Sequence, residues 1–367
     1  MRLRKKLAVA AGTSALVMSA VIPASAQQPS GSVTPMASSG AYTIDAEWGT
    51  FTLDPAIQAR VQQKVAAGEP LDIPVFIWIT GDEFFVPVRT GIAAAAAEFN
   101  TTSQLLGPVQ ADQPQMISDI QSYLTRQPDG IAISPANPDD IQGLVDQLID
   151  TGLPVVVWNT DIPKSKRLAY VGQDNTKAGY EVGKLMASEL QAKGVSEGTI
   201  AMFATDATAA YAKDLRFPGF RQAVSEALPN IKFSEPATLG VDISAAIGVV
   251  DAAVRGKSDV VGMYSADEQV TALGTWASQN AQPGDFIITG HNILARELEL
   301  MKDGWVNGLV GQDPYYQGYE SVKFLHQFLT TGSTECGPIC DSGYPVVDSA
   351  AMAQQLLDSD CDGKGCG

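Results

Sequence analysis

The fold is decided by the stretch Pro128–Met186, PDGIAISPANPDDIQGLVDQLIDTGLPVVVWNTDIPKSKRLAYVGQDNTKAGYEVGKLM. Its pattern predicts a strand, a helix, a second strand, a connecting segment and a second helix, and polar residues collect where the strands end. In open α/β sheets, ligands bind at the carboxyl ends of the strands. The stretch therefore predicts a ligand pocket at one edge of a mostly parallel sheet.

The same alternation of short apolar runs and helical patterns continues on both sides of this stretch. Short continuous apolar runs are typical of strands that are buried on both faces of a parallel sheet. The clearest helical pattern places apolar side chains on one face between Ile141 and Ile149. A right-handed, doubly wound α/β architecture is therefore expected. The predicted strands are Pro74–Thr80, Gly130–Ser134, Pro154–Trp158, Thr199–Ala204, Val260–Tyr264, Phe286–Thr289 and Gly308–Val310.

The length of the chain indicates a globular protein with two domains. The chain has 367 residues, which is too long for one compact domain and suits two of about 130 to 150 residues each. The formal net charge of −17 disfavours binding to nucleic acid or to an anionic membrane, because both need basic patches. Beyond this exclusion, the charge says little about function.

The N-terminus has the order of a secretory signal peptide. Basic residues within the first six positions precede a mildly apolar run, Leu7–Ile22, and a small-residue tripeptide, Ala-Ser-Ala, ends at Ala26. We predict a signal peptide over residues 1–26, cleaved after Ala26. A transmembrane anchor is the weaker alternative, because the run is shorter than about 20 residues and contains polar positions. No cysteine stands at the cleavage site, so a lipid anchor is not expected.

Two segments precede the predicted α/β core. Residues 27–53 begin with a Ser-, Pro- and Gly-rich run and are predicted to form a flexible leader. Residues 54–70 are predicted to form an extra helix, because Asp54 precedes Pro55 at its start and Gly68 ends the amphipathic pattern.

The cysteines lie in a Gly-rich C-terminal tail over residues 336–367. In an exported chain, an even number of cysteines indicates disulfides. Zinc binding is the alternative, but CxxxC and CxxxxC spacings without a nearby histidine are a poor zinc signature. We expect two bridges of unresolved connectivity, and no bound metal. The residues concerned are Cys336, Cys340, Cys361 and Cys366.

Three motifs resemble the ribose-binding-like family of periplasmic sugar-binding proteins, the solute receptors of ABC importers. They are DGIAISP, PVVVWNTD and YVGQDN followed by AG, all within the opening stretch. The resemblance covers roughly residues 72–330 and implies a type I periplasmic binding protein, α/β, with two doubly wound parallel-sheet lobes joined by a three-segment hinge. The N-terminal lobe would contain residues 71–173 and 313–335, and the C-terminal lobe residues 174–312.

The resemblance also implies where the chain passes between the two lobes. The crossings are expected near Thr160–Val171, Gly290–Asn292 and Gln312–Pro314. The residues alone do not indicate these positions. The leader, the extra helix and the cysteine tail lie outside the family pattern.

In the first lobe, ligand-binding residues are implied after the first and third predicted strands. Asp82, Phe84 and Phe85 follow the first strand, where the family has an aromatic pair that stacks on a sugar ring after a polar residue that bonds a hydroxyl. The alternative is that one phenylalanine belongs to the core. After the third strand, Asn159 matches a family carboxylate. Asp161 lies two residues later and either restores the charge or caps the next segment.

In the second lobe, one sugar-binding arginine of the family is missing. Asp214 stands in its place, in the run that leads to a Gly-Phe pair. Arg216 matches a second family arginine that has a more structural role. Either Asp214 contacts a different ligand, or Tyr211 or Arg216 takes over the contact.

The clearest match in the second lobe is the tripeptide Gly-His-Asn that ends at Asn292, which resembles the family's Gly-x-Asp. Asn292 and Gln312 have the family spacing without a gap, and their amides both donate and accept, which suits hydroxyl groups. His291 is either a ligand contact or a packed residue at a strand end. Ala266 replaces a family asparagine, so Asp267 is expected to cap the following helix.

The resemblance implies a periplasmic, monomeric receptor that closes over a monosaccharide or similar polyol and delivers it to an ABC permease. Amides in place of carboxylates, and an acid in place of an arginine, imply a neutral ligand other than ribose. The alternative is a sensor that presents a sugar or autoinducer-like ligand to a chemotaxis or signalling receptor. No nucleic-acid partner is implied, because the export signal stands where LacI-type repressors of this fold have a DNA-binding headpiece.

Catalysis is not expected. The two histidines lack metal spacing, and the chain has no nucleophile elbow, P-loop or dinucleotide fingerprint. A glycosidase needs two carboxylates across the scissile bond. Asp82 and Asp161 are the candidates, but their aromatic and amide neighbours favour holding a sugar. Neither an enzymatic activity nor a cofactor is predicted.

Overall fold

The computed structural model describes residues 40–359 except Thr208 and Ala210. The predicted signal peptide, the first part of the predicted leader and the cysteines Cys361 and Cys366 lie outside the described residues. Within the described part, none of the helices combines the length and the hydropathy that a bilayer-spanning segment requires.

Strands and helices alternate along the chain in the order that the apolar runs predict. A π-helical turn, Tyr211–Arg216, precedes the sixth helix. The strands are β1 Thr43–Ala46, β2 Gly49–Thr52, β3 Val75–Ile77, β4 Leu105–Leu106, β5 Ile131–Ser134, β6 Val155–Trp158, β7 Ala169–Gly172, β8 Glu197–Ala204, β9 Asn230–Phe233, β10 Ala237–Thr238, β11 Val260–Ser265, β12 Ile287–His291, β13 Gly308–Val310, β14 Ile339–Asp341 and β15 Val346–Val347. The helices are α1 Pro55–Ala67, α2 Phe85–Phe99, α3 Gln113–Tyr123, α4 Gln142–Asp150, α5 Asn175–Ala192, α6 Phe217–Ala227, α7 Ile243–Val254, α8 Val270–Asn280, α9 Ala295–Lys302, α10 Pro314–Thr331 and α11 Ala350–Asp358.

The strands form two large sheets, one in each lobe. The first sheet has the order β4-β3-β5-β6-β7-β14, and all its strands are parallel. The second has the order β10-β8-β11-β12-β13-β15, with β9 also on β8, and β15 is antiparallel to its neighbour. In each lobe the first strand lies inside the sheet, with later strands on both sides of it, which is the doubly wound arrangement. The predicted fold class is confirmed.

Helices α2 and α10 pack closely beside the first sheet. Glycine allows this approach on both helices. A Cβ atom at Gly91 would lie 2.1 Å from the carbonyl oxygen of Tyr315, and one at Gly318 would lie 2.3 Å from that of Val88. The close packing places the start of α10 next to the carboxyl ends of the first-lobe strands, where the candidate site lies.

The chain crosses between the lobes at residues 173–174, 311–313 and 342–345. Two of the expected crossings are therefore misplaced. Thr160–Val171 stays in the first lobe, because it leads into β7, which pairs with β6. Gly290–Asn292 stays in the second lobe, because β12 pairs with β13 and α9 packs in the second core.

Residues 40–70 pack against the first lobe. A helix, α1, lies where the extra helix is predicted, and the Asp54 carboxylate accepts from the backbone N–H groups of its first turn. The leader is not flexible throughout, because β1 and β2 form an antiparallel hairpin. The hairpin buries Phe51 against Phe328, and the Trp48 indole donates to the carbonyl oxygen of Arg167 at 3.1 Å. Burial of its apolar side chains explains why it folds.

The tail after residue 335 belongs to both lobes. Strand β14 joins the first sheet and β15 joins the second, so the third crossing lies between them. A disulfide joins Cys336 to Cys340 at the start of β14. These two cysteines form one of the two expected bridges. The pairing of the others is not described.

Candidate ligand-binding site

Four side-chain amides form one hydrogen-bonded chain from the first lobe to the second. Nδ2 of Asn159 donates to Oε1 of Gln317 at 3.1 Å. Nε2 of Gln317 donates to Oε1 of Gln312 at 2.9 Å, and Nε2 of Gln312 donates to Oδ1 of Asn292 at 3.2 Å. The structure thus brings together three predicted site residues, Asn159, Asn292 and Gln312, through a fourth that the sequence did not indicate.

Asn159 and Asn292 occupy equivalent places in the two lobes. Asn159 follows β6 and its backbone N–H donates to Val171 on the adjacent strand, while Asn292 follows β12 and donates likewise to Val310. Both have a left-handed backbone, with φ of 59° and 72°. Asparagine tolerates this conformation better than most residues with a side chain. Both ends of the amide chain are therefore set by the same backbone turn at the carboxyl end of a parallel strand.

Gln317 lies in the first turn of α10 and is fully buried. The helix begins at Pro314, and the Asp313 carboxylate caps it by accepting from the N–H of Tyr316 at 2.7 Å. This start fixes the turn that carries Gln317, five residues after Gln312. Nothing in the local sequence marks Gln317 as buried, because a glutamine in the first turn of a helix is usually exposed. Nε2 of Gln317 also donates to Oγ of Ser342, which lies in the tail, at 3.4 Å.

Gln173 is a second buried amide that the sequence did not indicate, and it lies in the first crossing. Its Nε2 donates to the carbonyl oxygens of Gly311 and Gly343, which belong to the other two crossings. Its Oε1 accepts from Nη2 of Arg216 at 3.1 Å. One side chain thus joins all three hinge segments and anchors them to the second lobe.

Arg216 is buried, and protein groups bind its guanidinium. Nε donates to Oδ1 of Asn175 at 2.8 Å and Nη1 to the carbonyl oxygen of Ala266 at 2.6 Å. The guanidinium also lies over the ring of Tyr211, 5.6 Å from its centroid. Arg216, one of the three second-lobe candidates, therefore links Gln173 of the hinge to Ala266 at the end of β11. Asp214 is exposed, 3.7 Å from Nζ of Lys213, and lies outside this network.

Asp267 organises the loops at the strand ends of the second lobe. It accepts from the hydroxyl of Tyr211 and the N–H of Thr205, each at 2.7 Å, and from the hydroxyl of Ser265 and the N–H of Gln269, each at 3.2 Å. The bond to Gln269 closes a turn directly before α8, but the N-cap residue of that helix is Gln269, which makes no side-chain cap bond, so the expected capping by Asp267 is not seen. Burial raises the pKa of the Tyr211 hydroxyl well above its usual range, so this group remains a donor.

Glu268 is an acidic group of the site that the sequence analysis missed. It accepts from the hydroxyl of Thr205 at 3.2 Å. Burial raises the pKa of Glu268, and the carboxylates of Asp267 and of Asp82 in the first lobe act in the same direction. Glu268 and Asp82 therefore lie within electrostatic range of each other although they belong to different lobes.

The two adjacent phenylalanines have different surroundings. Phe85 is only 5% exposed and packs edge-on against Trp158, with ring centroids 6.1 Å apart. Phe84 is half-buried and packs edge-on against Phe85 at 5.1 Å. Oδ1 of Asp82 accepts from the N–H of Phe84 at 2.8 Å and fixes the turn. Phe85 is therefore a core residue, and Phe84 is the one with ring surface available to a ligand.

Asp161 is held by Arg167. Its carboxylate accepts from Nε at 2.5 Å and from Nη2 at 2.8 Å, and it also accepts from the N–H of Ile162 at 2.7 Å. Arg167 also pairs with Glu47 of the hairpin at 2.8 Å. The structure thus favours the local, structural role for Asp161 among the two roles that the sequence left open.

His291 is fully buried at the end of β12. Its Nε2 lies 3.0 Å from the hydroxyl of Tyr264. Burial lowers the pKa of the imidazole well below its usual range, so His291 is neutral at physiological pH. Its position is that of a packed strand-end residue.

One group of the described residues combines three potential metal ligands, Glu320, Cys336 and Cys340. The two cysteines form the disulfide. Metal ligation requires thiolates, so this group does not fit a metal ion while the bridge is intact.

The two hinged α/β lobes, with polar side chains meeting at their strand ends, define a two-lobed solute-binding protein of the type I periplasmic class. The family model described as "Periplasmic binding protein domain" matches residues 73–333. This span is most of the chain, and the protein belongs to the periplasmic binding protein family. The family resemblance seen in the sequence is thereby confirmed.

Individual relatives are similar over about three quarters of the chain. The xylose/arabinose-binding protein XylF of Sulfolobus acidocaldarius is 24% identical over 302 residues, which are 78% of this chain and 73% of XylF. A solute-binding protein of an ABC transporter from Burkholderia graminis, solved with D-arabinose, has a TM-score of 0.69 and 23% identity, covering 77% of this chain and 97% of that chain. A chain of the XylFII–LytSN complex has a TM-score of 0.69 and 18% identity, covering 77% of this chain and 98% of that chain.

Proposed function

We propose that this protein is an extracytoplasmic receptor for a monosaccharide or a similar neutral polyol. The observation that carries the proposal is the amide chain between Asn159 and Asn292, because its ends lie in different lobes. Amides donate and accept, as hydroxyl groups require. The half-buried ring of Phe84 adds an apolar face on which the C–H face of a sugar ring can stack.

Pentoses are the first ligands to consider. XylF is named for binding xylose and arabinose, and the Burkholderia protein was solved with D-arabinose. A neutral pentose fits a site in which the buried guanidinium of Arg216 is already bonded to protein oxygens. No catalytic step and no cofactor are needed for this function.

Binding is coupled to closure of the two lobes about the hinge. A ligand that contacts Phe84 and Asn159 in the first lobe and Asn292 in the second is bound more tightly when the lobes are closed, so it shifts the population to the closed form. We propose that the exported, monomeric protein then docks on an ABC permease and delivers the sugar. Residues 1–26 would direct export and would then be removed by cleavage after Ala26.

The test is isothermal titration calorimetry of the mature protein, from Gln27, against pentoses, hexoses, inositols and other polyols. A single saturable heat with a Kd of about 1 μM, or about −8 kcal/mol, is expected for one group of sugars. If none of these compounds gives a binding heat, the proposal is contradicted.

The control variants are Phe84→Ala and Asn292→Ala, which should both weaken binding while the protein stays folded. Phe85→Ala is not a suitable control, because Phe85 lies in the core. If the heat survives both substitutions, the ligand binds elsewhere and the cleft assignment is wrong.

A sensor role is the second candidate. It is favoured by the likeness to XylFII, which was solved in a complex with LytSN. Deleting the gene separates the two roles. Loss of sugar uptake supports the transport role, whereas normal uptake with loss of sugar-induced transcription or chemotaxis supports the sensor.

A further inference from the structure

The amide chain has a direction. In each of its three hydrogen bonds, the NH₂ group of the amide nearer the first lobe donates to the carbonyl oxygen of the next amide, from Asn159 through Gln317 and Gln312 to Asn292. Within the part of the chain that the structure describes, neither Oδ1 of Asn159 nor Nδ2 of Asn292 has a hydrogen-bond partner. The amide chain therefore ends in a free acceptor, Oδ1 of Asn159, in the first lobe and in a free donor, Nδ2 of Asn292, in the second.

Gln317 controls this direction because it is the buried link between the two ends. It is fully buried, and Gln312 is only 9% exposed, so neither amide can exchange these bonds for water at low cost. If one amide of such a chain turns over, its neighbour must turn too, because two NH₂ groups or two carbonyl oxygens cannot bond each other. The orientation of Gln317 thus determines which atom Asn292 presents.

We propose that Gln317 is a positioning residue for ligand selectivity, which fixes Asn159 as an acceptor and Asn292 as a donor toward the ligand. This inference rests on the proposed function and specifies it. The ligand is a polyol with one hydroxyl that donates to Asn159 and another that accepts from Asn292. Gln317 itself need not touch the ligand.

The variant that tests the proposal is Gln317→Glu, which has nearly the same shape but only accepts when ionised. The carboxylate still accepts from Asn159, but it cannot donate to Gln312. Gln312 must then donate to residue 317, and its Oε1 turns toward Asn292. Asn292 in turn donates to Gln312 and presents its Oδ1 to the ligand, so its role is inverted.

The ligand readout uses D-xylose, L-arabinose and their monofluorinated deoxy derivatives. Fluorine accepts weakly and cannot donate, whereas a hydroxyl can do either. In the wild type, fluorine should be tolerated at the position that faces Asn292. In Gln317→Glu it should be rejected there, with a loss about tenfold larger than that for the parent sugar. Equal losses for the parent and for all fluorinated sugars would mean a merely structural role and would overturn the proposal.

A second readout needs no ligand and separates this inference from the proposed function. In solution NMR, exchange of the Asn292 side-chain NH₂ with water should slow about tenfold in Gln317→Glu, because that group gains a partner. Lowering the pH until residue 317 is protonated should remove the difference from the wild type measured at the same pH, since the neutral carboxyl can donate again. If the wild type binds no sugar, the proposed function fails, and this exchange rate still decides the inference. An unchanged rate overturns it.

Two further variants serve as controls. Gln317→Met removes both bonds, so Asn292 should keep its fast exchange and all sugars should bind more weakly. Ser342→Ala removes only the 3.4 Å side contact of Gln317 and should leave the fluorine pattern unchanged. If either of these two variants rejected fluorine at the position that faces Asn292, the proposed role of Gln317 would be contradicted.

Discussion

Gln173 and Gly311 join two of the three segments that connect the lobes: Nε2 of Gln173 donates to the carbonyl oxygen of Gly311 at 2.5 Å. The same nitrogen donates to the carbonyl oxygen of Gly343, in the third segment, at 3.1 Å. Lobe closure in such proteins is rotation about these few residues. The three segments are therefore expected to bend together, with Gln173 as their common contact.

Replacing Gln173 with methionine tests this role of the hinge. The change leaves the two carbonyl oxygens and one Arg216 donor without this partner, so the free energy of unfolding should fall by about 1–3 kcal/mol. The lobes should also open wider without ligand, which small-angle scattering measures as a larger radius of gyration. The matched control is Gln191→Met, because Gln191 is exposed and makes one long bond, 3.4 Å, to Ala227. Equal behaviour of the two variants would rule out a special role for Gln173.

The two adjacent phenylalanines should separate stability from binding. Phe85→Ala removes a ring that is 5% exposed, and core truncations of this kind cost about 3–5 kcal/mol. Phe84→Ala removes a half-buried ring and should reduce sugar affinity about tenfold or more, with a much smaller loss of stability. Thermal denaturation and calorimetry on both variants measure the two effects. A larger stability loss for Phe84→Ala would reverse the assignment.

The two sheets could be predicted because buried parallel strands leave a local signal, a short apolar run between helical patterns. The crossings could not be predicted in this way, since they depend on which strands pair over long distances. Strand β7 stays in the first lobe because it pairs with β6 and with β14 from the tail. The sequence does not predict the hairpin, although Ile44 and Phe51 lie in alternating patterns, because the Ser- and Pro-rich run before it is typical of a flexible segment.

The site was predictable where it lies at strand ends. Asn159 and Asn292 directly follow predicted strands, so sequence reasoning could indicate both. Gln317 was not predictable, because a glutamine in the first turn of a helix is usually exposed. Its burial follows from packing against the hinge and against Ser342 of the tail. Pairing of Asp161 with Arg167 likewise depends on how the loop between them folds.

The contact between α2 and α10 should be sensitive to a single methyl group. In Gly318→Ala, the new Cβ atom would lie 2.3 Å from the carbonyl oxygen of Val88, so the helices must separate at a cost of about 1–3 kcal/mol. The matched control is Gly248→Ala in the exposed face of α7, where nothing lies within 4 Å of the added atom. It should stabilise the protein by about 0.5–1 kcal/mol. Chemical denaturation measures both, and the same sign for both would contradict the packing argument.

Glu297 should make stability depend on pH. It is fully buried in α9, with Oε1 accepting from the hydroxyl of Thr271 at 3.0 Å. Burial raises the pKa of Glu297 from its usual 4.5 to about 7. Because the folded state holds the proton more tightly, the stabilising contribution is complete below about pH 4.5 and is lost as the pH rises through about 7.

Glu297→Gln should remove this loss, because the amide stays neutral. The variant should gain stability relative to the wild type at pH 8, by up to an amount on the order of 3 kcal/mol, and should gain nothing at pH 4. Urea denaturation at both pH values measures the difference. The control is Glu299→Gln, an exposed position two residues later on the same helix. A gain of equal size at pH 4 and pH 8 would show that Glu297 acts by packing and not by titration.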